Sequence, residues 1–234
     1  MLYDRSMPFE AVLFDAAETL FTTRGSVGEL YAEVAHRYGS TASDQAIQDA
    51  FVRQFQHSGP VSTDSEKDWW KRVVHRVFSD VGMVKNFDQF FDDVYDQFRD
   101  SRGWRLFPET REVLEDLKNR GLRLGVISNF DSRVYTVMRS LDILSFFNAV
   151  TISSEVGYAK PHPGIFQAAG RALDTAADHI LLVGDSLIDD VQAGALAGMT
   201  TVLIDRRNKY PNLSAFPRVS DLRQILPLLD LTPR

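Results

Sequence analysis

Three short segments of the chain are apolar almost without alternation, and each leads into a polar residue. They are AVLF (11–14), LRLGVIS (122–128) and HILLVGD (179–185). Continuous apolar runs of this kind are typical of parallel strands that have helices on both faces, because a strand with one face in water alternates instead. Two segments rich in β-branched residues, AVTISSE from Ala149 and TTVLID from Thr200, predict further strands.

Helical patterns separate these strands. They cover 109–120, 132–141, 163–173 and 189–197, and Gly121 and Gly198 follow the first and the last of them. The alternation of strands and helices predicts an α/β fold with a doubly wound, mainly parallel, Rossmann-like sheet.

Residues 25–98 differ from the rest, because they contain four helical patterns and no convincing strand. Trp69 and Trp70 lie in the third pattern, where apolar residues recur at helical spacing, so we interpret them as part of a packed helix face and not as a ligand-stacking site. We predict a helical bundle at 23–102, inserted into a discontinuous sheet domain formed by 1–22 and 103–234.

The composition excludes several classes of function. The 234 residues carry a net charge of −6 and have no dense block of Lys and Arg, which argues against nucleic acid and membrane as partners. The absence of cysteine excludes disulfides and thiolate metal sites. The N-terminal MLYDRSMPFE lacks the apolar region of a secretory signal, and no apolar run is long enough for a transmembrane helix, so we expect a cytoplasmic protein.

Polar residues follow the predicted strands, at the sheet edge where ligands of open α/β sheets bind. They are Asp15, Ser128, Asn129, Lys160, Asp185, Asp189 and Asp190. A carboxylate nucleophile, a hydroxyl, a lysine and clustered acids suit phosphoryl transfer. Because clustered carboxylates would repel a phosphate, a hard cation must lie between them, and Mg²⁺ with its oxygen ligands fits best.

The order and spacing of these residues resemble the haloacid dehalogenase superfamily, in the subclass with an inserted helical cap. The family's first motif, Asp-x-Asp-x-Thr, stands here as Asp15-Ala16-Ala17-Glu18-Thr19, with one mismatch. The other three motifs match Ser128 in GVISNFD, Lys160 in AKPHPGIF, and the acids of VGDSLIDDVQAGALAGM. The resemblance covers essentially the whole chain.

The resemblance implies a role for each matching residue. Asp15 would attack phosphorus and ligate the metal, while Ser128 and the backbone N–H of Asn129 would hold phosphoryl oxygens. Lys160 would balance the negative charge, and Thr19 would steady the loop of Asp15 through local hydrogen bonds. The Mg²⁺ ligands would be Asp15, the backbone carbonyl of Ala17, Asp185 and Asp190. Asp189 is either a further ligand or the N-cap of the next helix.

Ala17 replaces the acid that, in the family's phosphatases, protonates the leaving alcohol and activates water. Loss of such general acid–base help typically slows a reaction by about 10²- to 10⁴-fold. Glu18 is one position away and should face the other way in an extended segment, although a loop can break that rule. It also stands where most relatives have glycine, so movement of the cap could be altered.

Two other branches of the family also lack the second acid. One uses a cap lysine as a Schiff base, for which Lys67 and Lys71 are the candidates here, although a solvated helix face explains both. True 2-haloacid dehalogenases work without Mg²⁺ and have a fourth motif poor in acids, unlike GDSLIDD.

Two hypotheses therefore stand. The first is a slow or narrow Mg²⁺-dependent phosphomonoester hydrolase that acts on a small phosphorylated metabolite. The second is a catalytically silent relative that binds a phosphorylated ligand or a protein partner.

Overall fold

The computed structural model describes residues 9–59 and 66–230. Most of the MLYDRSMPFE segment, on which the expectation of no secretory signal rests, lies outside the described residues. In the described part of the chain, no helix is both long and apolar enough to cross a membrane.

The elements alternate along the chain in the order that the apolar pattern predicts. In chain order the strands and α-helices are β1 (Ala11–Phe14), β2 (Phe21–Thr23), α1 (Val27–Arg37), α2 (Asp44–Gln56), α3 (Glu66–Val81), α4 (Phe87–Gln97), β3 (Trp104–Leu106), α5 (Thr110–Asn119), β4 (Arg123–Ser128), α6 (Arg133–Ser140), β5 (Ala149–Ile152), α7 (Ser153–Val156), α8 (Pro163–Ala172), β6 (Ile180–Gly184), α9 (Ala193–Leu196), β7 (Thr200–Ile204) and β8 (Arg218–Val219). A π-helical turn, Leu187–Gln192, precedes α9, and short 3₁₀ helices cover Leu144–Phe146, Ala177–His179 and Leu222–Asp230.

Six strands form one parallel sheet in the order β5-β4-β1-β6-β7-β8, and all five predicted strands are in it. The central strand β1 is buried along its whole length, as is β6, which explains why neither sequence alternates. The predicted doubly wound α/β fold is thus confirmed. One strand is shorter than predicted, because AVTISSE leaves the sheet at Ile152 and turns into α7.

The predicted helix at 189–197 begins with a wider turn. The Ser186 carbonyl accepts hydrogen bonds from the N–H groups of both Asp190 and Val191, each at 3.1 Å, and the Ser186 hydroxyl caps the turn by accepting from the Asp189 N–H at 3.1 Å. π-Helical turns of this kind are frequent at functional sites. Asp189 is therefore not the N-cap of this helix, because Ser186 has that position.

The described chain divides into two compact units. One holds the sheet and comprises Met1–Thr22, Leu106–Asn129 and Ile143–Arg234; the other comprises Thr23–Arg105 and Phe130–Asp142. The predicted domain boundaries, 1–22 with 103–234 and 23–102, stay a prediction. The structure adds 130–142 to the helical unit because Asp131 accepts hydrogen bonds from Trp70 and Arg133, and the Arg133 guanidinium lies 4.2 Å from the ring centroid of Tyr95.

The helical unit contains helices α1 to α4 and α6. A capping box begins α1: the Ser26 hydroxyl accepts from the Glu29 N–H, and the Glu29 carboxylate accepts from the Ser26 N–H. The predicted packed face of α3 is confirmed, since Trp69 and its partners at helical spacing, Val73, Val74, Val77 and Phe78, are buried. Trp70 is half-buried on the neighbouring face and has a polar function, because its indole N–H bonds Asp131.

Candidate active site

The parallel sheet gathers the predicted strand-end residues. Phe14, the last residue of β1, pairs with Val126 of β4 on one side and with Val183 of β6 on the other. Asp15 comes next, and its N–H donates to the Val183 carbonyl at 2.9 Å. Ser128 ends β4 and Asp185 directly follows β6 at the same edge, and both Asp15 and Ser128 are buried.

Lys160 reaches this edge from the loop before α8. Its backbone is held by Asn129, whose side-chain amide donates to the Lys160 carbonyl at 2.9 Å and accepts from the Lys160 N–H at 2.7 Å. The Lys160 ammonium donates to one oxygen of Asp15 at 2.6 Å and to one oxygen of Asp190 at 2.5 Å. A buried lysine thus lies between two buried carboxylates.

Three carboxylates are close enough together to hold a metal ion. Asp15, Asp185 and Asp190 each offer an oxygen, and these oxygens all lie within 4.8 Å of one another. This is the one group of three or more potential metal ligands found in residues 9–59 and 66–230. The five histidines join no such group, and neither does Asp189, whose carboxylate accepts from the Ser186 hydroxyl at 3.2 Å.

Gly184 makes room for one of these carboxylates. A Cβ at this position would lie 2.3 Å from Cγ of Asp190, far inside van der Waals contact. The Asp190 carboxylate is fixed there by the π-helical turn and by the Ser186 N–H, which donates to its second oxygen at 3.0 Å. A side chain at position 184 would therefore collide with the Asp190 carboxylate, which explains the glycine before Asp185.

Burial changes the protonation of the cluster. It raises the pKa of Asp15 to about 6, although the adjacent Lys160 ammonium opposes the shift and the Asp190 charge adds to it. It likewise raises the pKa of Asp185 to about 8, with further contributions from Asp15 and Asp190. The two neighbouring carboxylates raise the pKa of Lys160 despite its burial, so this side chain is an ammonium. A divalent cation would compete with protons for this site.

Hydrogen bonds fold the loop that follows Asp15 and carries the Ala17 carbonyl. Bonds from the Leu20 N–H to the Ala16 carbonyl, at 2.9 Å, and from the Glu18 N–H to the Phe21 carbonyl, at 2.7 Å, fold the loop on either side of Ala17. No residue in the described part of the chain donates a hydrogen bond to the Ala17 carbonyl. This carbonyl oxygen, two residues after Asp15, and the three clustered carboxylates are oxygen donors of the kind that Mg²⁺ takes, so the residues present fit this ion.

Glu18 has a left-handed backbone conformation, with φ of 63°. Glycine adopts this conformation at little cost, which gives a physical reason for glycine at this position in relatives. The Glu18 carboxylate accepts from the Thr22 hydroxyl at 2.5 Å and lies 3.2 Å from the Arg207 guanidinium. Its two oxygens are thus engaged by Thr22 and Arg207.

One expected interaction is wrong. The Thr19 hydroxyl is completely buried, and no partner for it exists among the described residues, so it does not make the local hydrogen bonds predicted for it. The Thr19 carbonyl instead accepts from the Arg206 guanidinium at 2.9 Å. Sequence reasoning missed Arg206, although the rule that drew attention to strand-end polar residues applies equally to the residues after β7.

The two candidate Schiff-base lysines both form ion pairs on the surface of the helical unit. The Lys71 ammonium lies 2.7 Å from an oxygen of Asp88, and Lys67 lies 2.7 Å from one of Asp92. The Asp88 carboxylate raises the pKa of Lys71, whereas a Schiff-base lysine needs a lowered one. The structure therefore gives no support to Lys71 as a nucleophile.

Comparisons with known proteins agree with this arrangement. The family model described as haloacid dehalogenase-like hydrolase matches residues 9–198. The haloacid dehalogenase-like hydrolase domain-containing protein 3 of Xenopus laevis is 30% identical over 207 residues, 85% of each chain. The phosphoserine phosphatase of Thermus thermophilus is 34% identical over 131 residues, 55% of this chain and 53% of that one.

The fold likewise has close counterparts among solved structures. The L-2-haloacid dehalogenase RSc1362 superposes with a TM-score of 0.77 at 22% identity, covering 95% of this chain and 99% of that one. The match to the family model spans most of the chain and includes the strand-end residues described above. The chain belongs to the haloacid dehalogenase-like hydrolase family.

Proposed function

We propose that this protein is a Mg²⁺-dependent phosphomonoester hydrolase with slow turnover. The observation that carries the proposal is the gathering of Asp15, Asp185 and Asp190 around one buried lysine at the ends of parallel strands. A dehalogenase works without Mg²⁺, so in such an enzyme three clustered carboxylates would have no cation to bind. Some relatives in this family are named as phosphatases, which favours the same chemistry.

Asp15 is the proposed nucleophile. One of its oxygens attacks phosphorus, the bond from phosphorus to the alcohol oxygen breaks, and an aspartyl-phosphate forms. Water then attacks that phosphorus, which releases phosphate and restores the carboxylate. The Lys160 ammonium, 2.6 Å from Asp15, holds the carboxylate in place and neutralises part of the phosphoryl charge.

Ser128 and Asn129 are the proposed phosphate-binding residues. Ser128 is buried at the end of β4, next to the nucleophile strand. The Asn129 side chain is occupied by the backbone of Lys160, so the backbone N–H of Asn129 is the group assigned to the phosphoryl oxygens. Asn129 therefore links phosphate binding to the position of Lys160.

Asp15, the Ala17 carbonyl, Asp185 and Asp190 are the proposed ligands of Mg²⁺. When bound, the ion supplies Lewis-acid neutralisation of charge on the phosphoryl group. The chain's own contribution is a rigid oxygen donor set: Asp190 is fixed by Ser186 and Lys160, and the Ala17 carbonyl by the folded loop around it. Alanine keeps this carbonyl, so the metal site does not need the missing acid.

Slow turnover follows from Ala17. No carboxylic acid stands at the position that gives a proton to the leaving alcohol, and general acid–base help of this kind is worth about 10²- to 10⁴-fold. The contacts of the Glu18 carboxylate with Thr22 and Arg207 support the proposal that Glu18 does not replace it. The proton must come from water or from the substrate.

A second candidate is a silent relative that binds a phosphorylated ligand or a protein partner. Ala17 and the engaged carboxylate of Glu18 favour it, since both remove the acid from the reaction while the binding groups persist. For either function we propose a small phosphorylated metabolite as ligand, no nucleic acid or membrane partner, and a cytoplasmic location.

The test is Mg²⁺-dependent phosphate release from a panel of phosphomonoesters by the natural protein, Asp15→Asn and Ala17→Asp. Activity in the natural protein that disappears in Asp15→Asn supports the hydrolase, and activity unchanged by Asp15→Asn refutes the nucleophile. If Ala17→Asp alone turns over substrate, the second candidate replaces the first. Calorimetry with phosphate and Mg²⁺ then measures whether the natural protein binds a phosphorylated ligand without hydrolysing it.

A further inference from the structure

The loop that carries the Ala17 carbonyl is held at its far end by an arginine of another strand. Arg206 follows β7, and its guanidinium donates to the Thr19 carbonyl at 2.9 Å. The Thr19 hydroxyl, which could have anchored this loop locally, has no partner in the described part of the chain. Arg206 is therefore the side chain that fixes Thr19.

Arg206 is itself rigidly held. Its guanidinium donates to the buried carboxylate of Glu109 at 2.6 Å and lies 3.5 Å from the ring centroid of Phe107. Glu109 also accepts from the Leu222 N–H at 3.3 Å, which fixes the acid from another side. A guanidinium with two bonds in a fixed plane positions a carbonyl better than a single ammonium could.

The same arginine lies beside the proposed metal site. Arg206 lines a pocket together with Glu18 and Asp185, so the loop after β7 borders one of the three clustered carboxylates. The nucleophile loop is thus anchored at both ends: the Asp15 N–H bonds to Val183 of β6, and the Thr19 carbonyl bonds to Arg206. Ala17 lies midway between these anchors.

We propose that Arg206, held by Glu109, is a positioning residue for the metal site, because it fixes the loop whose Ala17 carbonyl serves as a Mg²⁺ ligand. The inference rests on the proposed function, since it presumes Mg²⁺ in the carboxylate cluster. Residues that orient metal ligands typically cost 10- to 100-fold in metal affinity when they are removed. Arg206 belongs to that class although it touches neither metal nor substrate.

The experiment is Mg²⁺ titration of the full chain by calorimetry, at a temperature well below the unfolding of every variant. Arg206→Met removes both hydrogen bonds and keeps an apolar stem against Phe107, and we expect it to weaken Mg²⁺ binding about 10- to 100-fold. Arg206→Lys keeps a charge for Glu109 but cannot bridge it to Thr19 with a planar fork, so we expect an intermediate loss.

Arg218→Met is the matched control. Arg218 lies on the next strand and forms the same kind of pair, 3.0 Å from an oxygen of the buried Asp205 on the loop after β7, yet no hydrogen bond or ion pair joins it to residues 15–19. We expect it to lower the unfolding temperature and to leave Mg²⁺ affinity unchanged. Mg²⁺-dependent increases in unfolding temperature, measured for each variant, give a second reading of affinity.

Each outcome decides between the possibilities. Wild-type Mg²⁺ affinity in Arg206→Met, or an equal loss in Arg206→Met and Arg218→Met, overturns the positioning role and leaves the hydrolase proposal standing. If the natural protein binds Mg²⁺ but hydrolyses no phosphomonoester, the hydrolase proposal is refuted. The positioning role is then still decided by the Mg²⁺ affinities of Arg206→Met and Arg218→Met. A natural protein that binds no Mg²⁺ overturns both.

Discussion

Lys160→Met replaces the buried ammonium at the centre of the site by an apolar chain of similar length. The Lys160 side chain is 4% exposed, and its two partners, Asp15 and Asp190, are 10% and 1% exposed. The substitution therefore leaves two buried carboxylates without the ammonium that neutralises them and a third carboxylate nearby, in a site where burial limits their solvation.

The expected loss follows from this burial. Removing one partner of a buried ion pair costs about 3–5 kcal/mol of unfolding free energy, most of it the desolvation of the charge left behind. In a chain of this length, a loss of 1 kcal/mol in the free energy of unfolding lowers the unfolding temperature by about 2–4 °C. The unfolding temperature without metal should therefore fall by roughly 6–20 °C. Mg²⁺ at a hundred times its dissociation constant restores about 2.7 kcal/mol by linkage.

The assay is thermal unfolding at pH 7.5, with EDTA and with Mg²⁺. Lys118→Met is the control, because Lys118 is exposed on the same unit and donates to the Ser145 carbonyl at 3.0 Å, so its loss should stay within about 0.5 kcal/mol. A loss below about 1 kcal/mol for Lys160→Met with EDTA would refute the idea that this ammonium is the counter-charge of the cluster. If Mg²⁺ raised the unfolding temperatures of Lys160→Met and Lys118→Met by the same amount, that result would also contradict the counter-charge role of Lys160.

Three further predictions concern the same edge of the sheet. Gly184→Ala inserts a Cβ 2.3 Å from Cγ of Asp190, so we expect it to lower the free energy of unfolding by about 1–3 kcal/mol and to weaken Mg²⁺ binding. An unchanged unfolding temperature would show that the π-helical turn moves to accommodate the methyl group. Glu18→Gln keeps the backbone and side-chain shape but removes the acid, and unchanged phosphate release is expected, whereas a loss of 10-fold or more would identify Glu18 as the proton donor. Since burial raises the pKa of Asp15 to about 6 and of Asp185 to about 8, their protonated forms favour the metal-free fold at low pH, and this contribution disappears as pH rises through 6 to 8. Mg²⁺ must displace the same protons, so its stabilising effect should grow between pH 5.5 and 8.5 in thermal unfolding, and a constant effect would contradict the raised pKa values.

The sheet and the site could be predicted from sequence because burial leaves a direct signature in the chain. A strand covered on both faces is continuously apolar, and the parallel arrangement brings the next polar residue of each strand to one edge. Asp15, Ser128 and Asp185 follow from that rule alone. Lys160 was predicted together with them, although it lies on the loop before α8 and not directly after a strand.

What the sequence could not give depends on contacts between distant parts of the chain. Nothing local at Thr19 indicates that its hydroxyl is unpaired while its carbonyl is held by Arg206, 187 residues later. The Trp70–Asp131 bond is similar, since it joins α3 to the loop before α6 across a sequence separation of 61 residues. The π-helical turn was also missed, because its sequence pattern at 187–192 is compatible with an ordinary α-helix.

The structure changes how Ala17 should be understood. Alanine stands where the family's phosphatases have an acid, yet the features that would hold a metal and a phosphate are backbone groups, strand-end carboxylates and a buried lysine, none of which depends on that side chain. The Lys160 ammonium stabilises the charged forms of Asp15 and Asp190 in the folded protein, whether or not catalysis occurs. The carboxylates and the lysine require one another to be buried, so loss of any one of them alone would destabilise the fold whether or not the protein is a catalyst. Persistence of four motif positions is therefore weak support for turnover, and phosphate release from the natural protein is the observation that separates a slow hydrolase from a binder.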